Sequence, residues 1–128
     1  MAGSYKDLRV WQQAMQLTVK VYRTTEIFPK TELYGLTNQM RRAAVSVASN
    51  IAEGKGHRSD LEFQHFLYHA RGSLLELETQ IHLALQLQYI AEGSGRELLE
   101  MTSSLAQSLN ALINSLAPPG KSRKASSD

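Results

Sequence analysis

Cysteine is absent from this chain. Its absence excludes disulfides, thiol catalysis and cysteine-ligated zinc, and makes a reducing cytoplasm the expected home. No run of residues approaches the roughly 20 apolar positions a membrane span needs. The opening MAGSYKDLRVW also lacks the apolar stretch of a secretory signal. A soluble, cytoplasmic protein without a membrane partner is therefore expected. Proline occurs only at Pro29, Pro118 and Pro119, and strand-like alternation of apolar and polar residues is missing, which leaves long spans for helix. The signatures of several enzyme classes are missing too. No serine sits in a G-x-S-x-G turn, and Gly54-Lys55-Gly56 is too short for a phosphate-cradling loop. Glu62-x-x-His65 is half of a di-iron carboxylate motif, but no second Glu-x-x-His accompanies it. His65 and His69, one helical turn apart, read as surface histidines. No catalytic residue, metal or cofactor is assigned.

What is present is one domain's worth of chain, 128 residues with an apolar fraction of 42%. The stretch Gly35–Gly54, GLTNQMRRAAVSVASNIAEG, is its most regular part. Leu36, Met40, Ala43, Val47 and Ile51 step by four and three and make one face of a helix, with Gly54 as the expected stop. Gln39, Arg42, Ser46, Asn50 and Glu53 form a polar stripe beside that face. A polar row on the flank of a core is expected to meet another helix or another subunit.

The remaining helices follow from the same arithmetic. A first helix is expected over about 7–27, with Asp7 as cap or first-turn acid and Phe28-Pro29 as its end. Val10, Ala14, Leu17 and Val21 make one apolar stripe on it; Leu8, Trp11, Met15 and Tyr22 make a second. That face is wider than one seam needs, which marks Trp11 and Tyr22 as candidates for an oligomer interface. The second helix is expected over 30–53. Ser59 and Glu62 form a capping box that opens a third helix over 60–87, carrying Phe63, Phe66, Leu67, Ala70, Leu74, Leu77, Ile81 and Ala84. Gly72 in its middle reads as a close approach by another backbone. Glu62, His69, Ser73, Glu76 and Gln80 border its apolar face. In an antiparallel hairpin Arg42 falls opposite Glu76, so a hydrogen-bonded or ionic contact is expected there, with Ser73 nearby. Ser94 and Glu97 repeat the capping signal and open a fourth helix over 95–116, with a seam of Leu98, Met101 (or Thr102), Leu105, Leu109, Leu112 and Leu116. The fold class is all-α, an antiparallel up-down-up-down four-helix bundle over 1–117, followed by a disordered basic tail over 118–128.

Net charge is only +2, but its distribution is uneven. Residues 1–58 carry Lys6, Arg9, Lys20, Arg23, Lys30, Arg41, Arg42, Lys55 and Arg58 against four carboxylates. Residues 59–92 carry Arg71 alone against five. Arg41, Lys55, His57 and Arg58 read as a cluster at one end or edge of the second helix, and Lys121, Arg123 and Lys124 extend it in the tail. These seven are the candidate nucleic-acid contacts, since phosphate binding needs little beyond clustered positive charge. The competing reading pairs Arg41 and Arg42 with Glu76 and Glu78 inside the protein.

Particular residues carry a family resemblance: Asp7-Leu8, Val10-Trp11 and Ala14; Phe28-Pro29, Glu32 and Tyr34-Gly35-Leu36; Gln39, Arg41-Arg42-Ala43-Ala44, Ser46 and Asn50-Ile51-Ala52-Glu53-Gly54; then Ala70, Gly72-Ser73, Glu76 and Glu78. In these the chain resembles the four-helix bundle proteins encoded by intervening sequences of bacterial 23S ribosomal RNA genes, also called the S23 ribosomal protein family, as far as about Leu116. The resemblance implies a ring-like homo-oligomer, typically a pentamer. Related bundle proteins serve retroelement reverse transcriptases as accessory factors that bind nucleic acid and the polymerase. The expectation is a non-catalytic oligomer that binds RNA or DNA, with a protein such as a reverse transcriptase as a further partner. The alternative is a structural protein–protein interaction oligomer with no nucleic-acid role.

Overall fold

The computed structural model describes residues 3–116; the tail over 118–128, with Lys121, Arg123 and Lys124, lies outside the described residues. Four α-helices follow one another: α1 Arg9–Thr25, α2 Leu36–Lys55, α3 Asp60–Gln86 and α4 Glu92–Leu116. Each packs on its neighbour in the chain, α2 against α3 most extensively, and α1 closes the circuit on α4. Short connections between antiparallel neighbours make this an up-down-up-down bundle. Among the described residues there is no strand.

The core is what the spacing predicts for α2 and α3. Met40, Val47, Ile51, Leu67, Leu77 and Ile81 are fully buried. On α1 only one of the two apolar stripes goes inside: Val10, Ala14, Leu17 and Val21 are buried, whereas Met15, Val19 and Tyr22 stay exposed. The seam of α4 is Leu98, Thr102, Leu105, Leu109 and Ile113. Thr102, not Met101, takes the inner position, and its hydroxyl donates to the Leu99 carbonyl at 2.8 Å. Met101, Leu112 and Leu116 pack at the margin.

Helix boundaries depart from expectation where side chains compete for the backbone. Asp7 does not cap α1. It closes a 3-10 turn, Tyr5–Asp7, whose cap is Ser4 accepting from the Lys6 amide at 3.1 Å, and Leu8 is extended before α1 begins. The second helix does not run from residue 30. A 3-10 turn, Lys30–Glu32, comes first, and α2 starts at Leu36. Glu32 explains the break: its Oε1 accepts from the Leu36 amide at 3.0 Å, satisfying one of the donors a helix start leaves open. A Cβ on Gly35 would meet that carboxylate oxygen at 2.6 Å.

Gly54 is not the stop of α2, which continues to Lys55. It is buried because α3 leans against it; a Cβ there would stand 2.6 Å from Phe66 Cβ and 3.0 Å from Phe63 Cδ1. Gly72 is the reverse case. Nothing among the described residues lies within 4 Å of where its Cβ would be, so none of their backbone approaches it. The Ser59–Glu62 cap forms as expected, Ser59 Oγ accepting from the Glu62 amide at 3.1 Å. The Ser94–Glu97 cap does not form. Helix α4 is already under way at Glu92, with the Gly95 amide bonded to the Ala91 carbonyl at 2.9 Å, and buried Gly95 lets Leu85 close over the first turn. Between α3 and α4, Gln88 takes a left-handed conformation, φ 62°. The Gln88 amide bonds the Leu85 carbonyl and the Tyr89 amide bonds the Ala84 carbonyl. These two bonds make a Schellman ending with glutamine where glycine is usual.

Candidate interaction surfaces

The polar stripe of α2 faces the polar border of α3 across a groove of about 420 Å³ lined by Tyr34, Asn38, Gln39, Arg42, Ala43, Ser46, Ser73 and Glu76. Its floor is a hydroxyl contact, Ser46 Oγ to Ser73 Oγ at 2.8 Å. Asn50 Nδ2 donates to the Ser46 carbonyl at 2.8 Å and to its hydroxyl at 3.1 Å, so it too belongs to this polar seam. Arg42 and Glu76 line the same groove and are exposed, yet among the described residues no ion pair joins them. Small side chains meet here, and Arg42 and Glu76 are left lining the opening. Glu53, last in the stripe, is exposed.

The candidate basic cluster divides. Arg41 packs on the end of α1: its Nε donates to Thr25 Oγ1 at 2.9 Å, its Nη2 donates to the Tyr22 carbonyl at 3.3 Å, and the guanidinium lies 4.7 Å from the centre of the Tyr22 ring. Thr25 passes the link on by donating to the Val21 carbonyl at 2.8 Å. A cation against the carbonyl end of α1 is favoured by the helix dipole. Arg41 therefore ties two helices, and neither Glu76 nor Glu78 is its partner. Lys55 stands 14 residues further on, about 21 Å along α2 at 1.5 Å per residue. The expected cluster of Arg41 with Lys55, His57 and Arg58 does not form.

Lys55, His57 and Arg58 do share the α2–α3 turn. Lys55 Nζ lies 5.7 Å from the centre of the Phe63 ring. His57 stacks on Phe66 at 4.8 Å, and its Nδ1 is 3.6 Å from Glu62 Oε1. Arg58 is exposed and in no ion pair among the described residues. Ionic links run mainly elsewhere: Lys20 of α1 reaches Glu97 of α4 at 3.0 Å. Between the basic first half and the acidic third helix the one ionic contact among the described residues is that of His57 with Glu62; no lysine or arginine of the first half pairs there.

At the opposite end from that turn, Glu32 joins three segments. Besides capping Leu36, it accepts from the Tyr89 hydroxyl at 3.0 Å through Oε2, and Phe28 lies 5.4 Å from the Tyr89 ring. The Leu36 amide first, and then Tyr89, hold the Glu32 carboxyl below its ordinary range. The hydrogen bond to Glu32 raises the Tyr89 phenol. No residue spacing signals this triad, since Glu32 and Tyr89 are 57 positions apart.

Among the exposed apolar side chains of the described residues are two rows along helices. On α1, Trp11 is half-buried with its ring centre 5.2 Å from that of Tyr5, while Met15, Val19 and Tyr22 are exposed beside it. On α3, Leu61, Tyr68 and Leu75 recur every seven residues on the face away from the core, 75%, 47% and 58% exposed, with Gly72 among them. The sequence reading stopped at the core face and missed this second stripe, although its seven-residue spacing is plain.

A bundle of this kind, four antiparallel helices joined by short loops, is an all-α helical domain. The chain belongs to the family described as 23S rRNA-intervening sequence protein, whose model matches residues 6–111. A crystal structure of a protein of unknown function from the S23 ribosomal protein family of Bacteroides thetaiotaomicron shares the fold, with a TM-score of 0.73 at 19% identity over 81% of this chain and 97% of that one. No curated protein matches the sequence. No helix among the described residues is long and apolar enough to cross a membrane.

Proposed function

We propose that the protein is a non-catalytic, self-associating scaffold. The observation that carries this is the pair of uncovered apolar stripes, Trp11–Met15–Val19–Tyr22 on α1 and Leu61–Tyr68–Leu75 on α3. In the circuit α1–α2–α3–α4 these two helices are diagonal, so the stripes face away from one another. Unlike patches on opposite sides of one subunit associate head to tail, and such contacts make a ring when the rotation closes. Gly72 fits the same account: a partner helix is a neighbour this single chain does not supply. Five copies is the number that the family resemblance implies.

Light scattering on a size-exclusion column tests the proposal. The expected species is a multiple of the 14.3 kDa chain. Val19→Glu and Leu75→Glu, both at exposed positions, are each expected to reduce it to monomer while leaving the helical circular dichroism unchanged. A monomeric wild type, or an assembly indifferent to both changes, overturns it. Gly72→Ala sharpens the test, because it favours the helix by about 1 kcal/mol and should still weaken the assembly.

The α2–α3 turn favours a second reading, in which the assembly holds RNA or DNA. Lys55 and Arg58 meet no carboxylate among the described residues, and a ring repeats the turn once per subunit. Binding of a generic RNA and DNA mixture that weakens steeply with salt, and with Lys55→Ala or Arg58→Ala, would support it. An assembly that ignores nucleic acid at physiological salt leaves the protein scaffold, and a polymerase or other protein as the partner to seek.

A further inference from the structure

His65 and His69 stand one turn apart on the exposed side of α3, and the structure turns them toward each other. Their Nε2 atoms are 3.2 Å apart, with ring centres 4.7 Å apart and planes at 87°. At that distance one Nε2–H donates to the other Nε2, the direction set by the tautomers, and with both rings in the Nδ1–H tautomer the two lone pairs are left to a shared ion. A metal ion bound at about 2.05 Å to both would subtend an angle of about 100°, within the range a tetrahedral or tetragonal first-row ion accepts. The spacing therefore matches the bite of a chelate in which an ion replaces the hydrogen bond between the rings.

The rings are also supported from one side. His65 meets the edge of Phe66 at 6.2 Å and His69 tilts against it at 6.4 Å. Phe66 is itself wedged against Gly54 and stacked by His57. His57 is turned to Glu62, and no group of three or more metal-ligating side chains converges among the described residues. The chain thus offers two ligands and leaves the other positions to water or to donors from another molecule.

We propose that His65 and His69 form a bidentate site for a divalent first-row ion of imidazole preference, zinc foremost. His65 lines one pocket with Leu61 and Tyr68, so the pair borders the proposed assembly face, and light scattering of each variant separates loss of zinc from loss of assembly. The glutamate of the Glu62-x-x-His65 pattern takes no part; the ligand pair is i, i+4, the spacing that places two histidines on one helix face.

The test is calorimetric titration of the untagged full chain with zinc chloride, in a buffer that does not chelate. Saturable binding of one zinc per chain is expected. His65→Asn and His69→Asn should each weaken it about tenfold or more, equivalent to at least about 1.4 kcal/mol. His82→Asn, on the same helix but away from the pair, should leave it unchanged. Thermal midpoints without metal establish that the variants fold; zinc should raise the wild-type midpoint and not theirs. Absence of saturable uptake by the wild type, or retention of it in both His65→Asn and His69→Asn, overturns the site.

Discussion

At the end of the bundle where α1 gives way to α2, Arg41 donates to Thr25 and Glu32 accepts from Leu36 and Tyr89. At the other end Lys55 and Arg58 are unpaired among the described residues, and His65 and His69 face solvent and each other. Charge at the first end ties connections together beside the packing of Phe28, Ile90 and Tyr89. At the second end Phe63 and Phe66 against Gly54 already do that work by packing, and the charges are left over. Charged residues that looked equivalent in the sequence thus have different employment. A cation is structural where it finds a helix terminus, and available where aromatic packing has closed the turn without it.

The largest expected effect breaks the packed end. Gly54→Ala places a methyl on Phe66, and should cost about 2 kcal/mol in chemical denaturation, within the usual range for overpacking. Next comes the contrast between the two arginines. Arg41→Ala removes two charge-assisted hydrogen bonds and should cost about 1.5 kcal/mol, discounted for partial exposure, whereas Arg58→Ala should stay within about 0.5 kcal/mol. Equal effects of the two would end the comparison. A smaller change of opposite sign is expected at Gln88: Gln88→Gly relieves a left-handed side chain and should stabilise by about 1 kcal/mol. The subtlest concerns pH. The Glu32 carboxyl is lowered in the folded protein, so its contribution is present above its ordinary value of 4.5 and is lost as pH falls through the folded value. Tyr89 is raised from 10.0, so its contribution is present below that value and is lost as pH rises through the folded one. Denaturation midpoints of Glu32→Gln should show less dependence on pH than wild type below about 4.5. An identical acid profile would show that the triad is not coupled to folding.

Much of the fold was legible because periodicity is a local property. Leu36, Met40, Ala43, Val47 and Ile51 can be found without knowing what they pack on, and all are buried. The Ser59 cap was legible for the same reason, with donor and acceptor three residues apart. The candidate sites were far less so. Trp11 and Tyr22 were singled out for a wide apolar face, and only the neighbours around Tyr22, namely Met15 and Val19, complete the exposed stripe. Gly54 and Gly72 invite similar readings in the chain, as a stop and as a close approach. Each proved to be something else, because what a glycine permits depends on the element that arrives beside it. Arg41 and Lys55 share charge and one helix in the sequence, and the helix holds them about 21 Å apart.

The sequence by itself determined that this is a bundle of helices, which faces of α2 and α3 are inward, and that no common catalytic motif is present. Those conclusions follow from residue type and spacing along one helix, where geometry is set by hydrogen bonds four residues apart. Only the tertiary structure decided which of two stripes on α1 is core, that Glu32, Leu36 and Tyr89 meet, that Arg41 is a tie while Arg58 is in no ion pair among the described residues, and that two histidine nitrogens come to 3.2 Å. These outcomes depend on how helices distant in the chain compete for the same space and the same donors, and on which side chain a neighbour pushes into place.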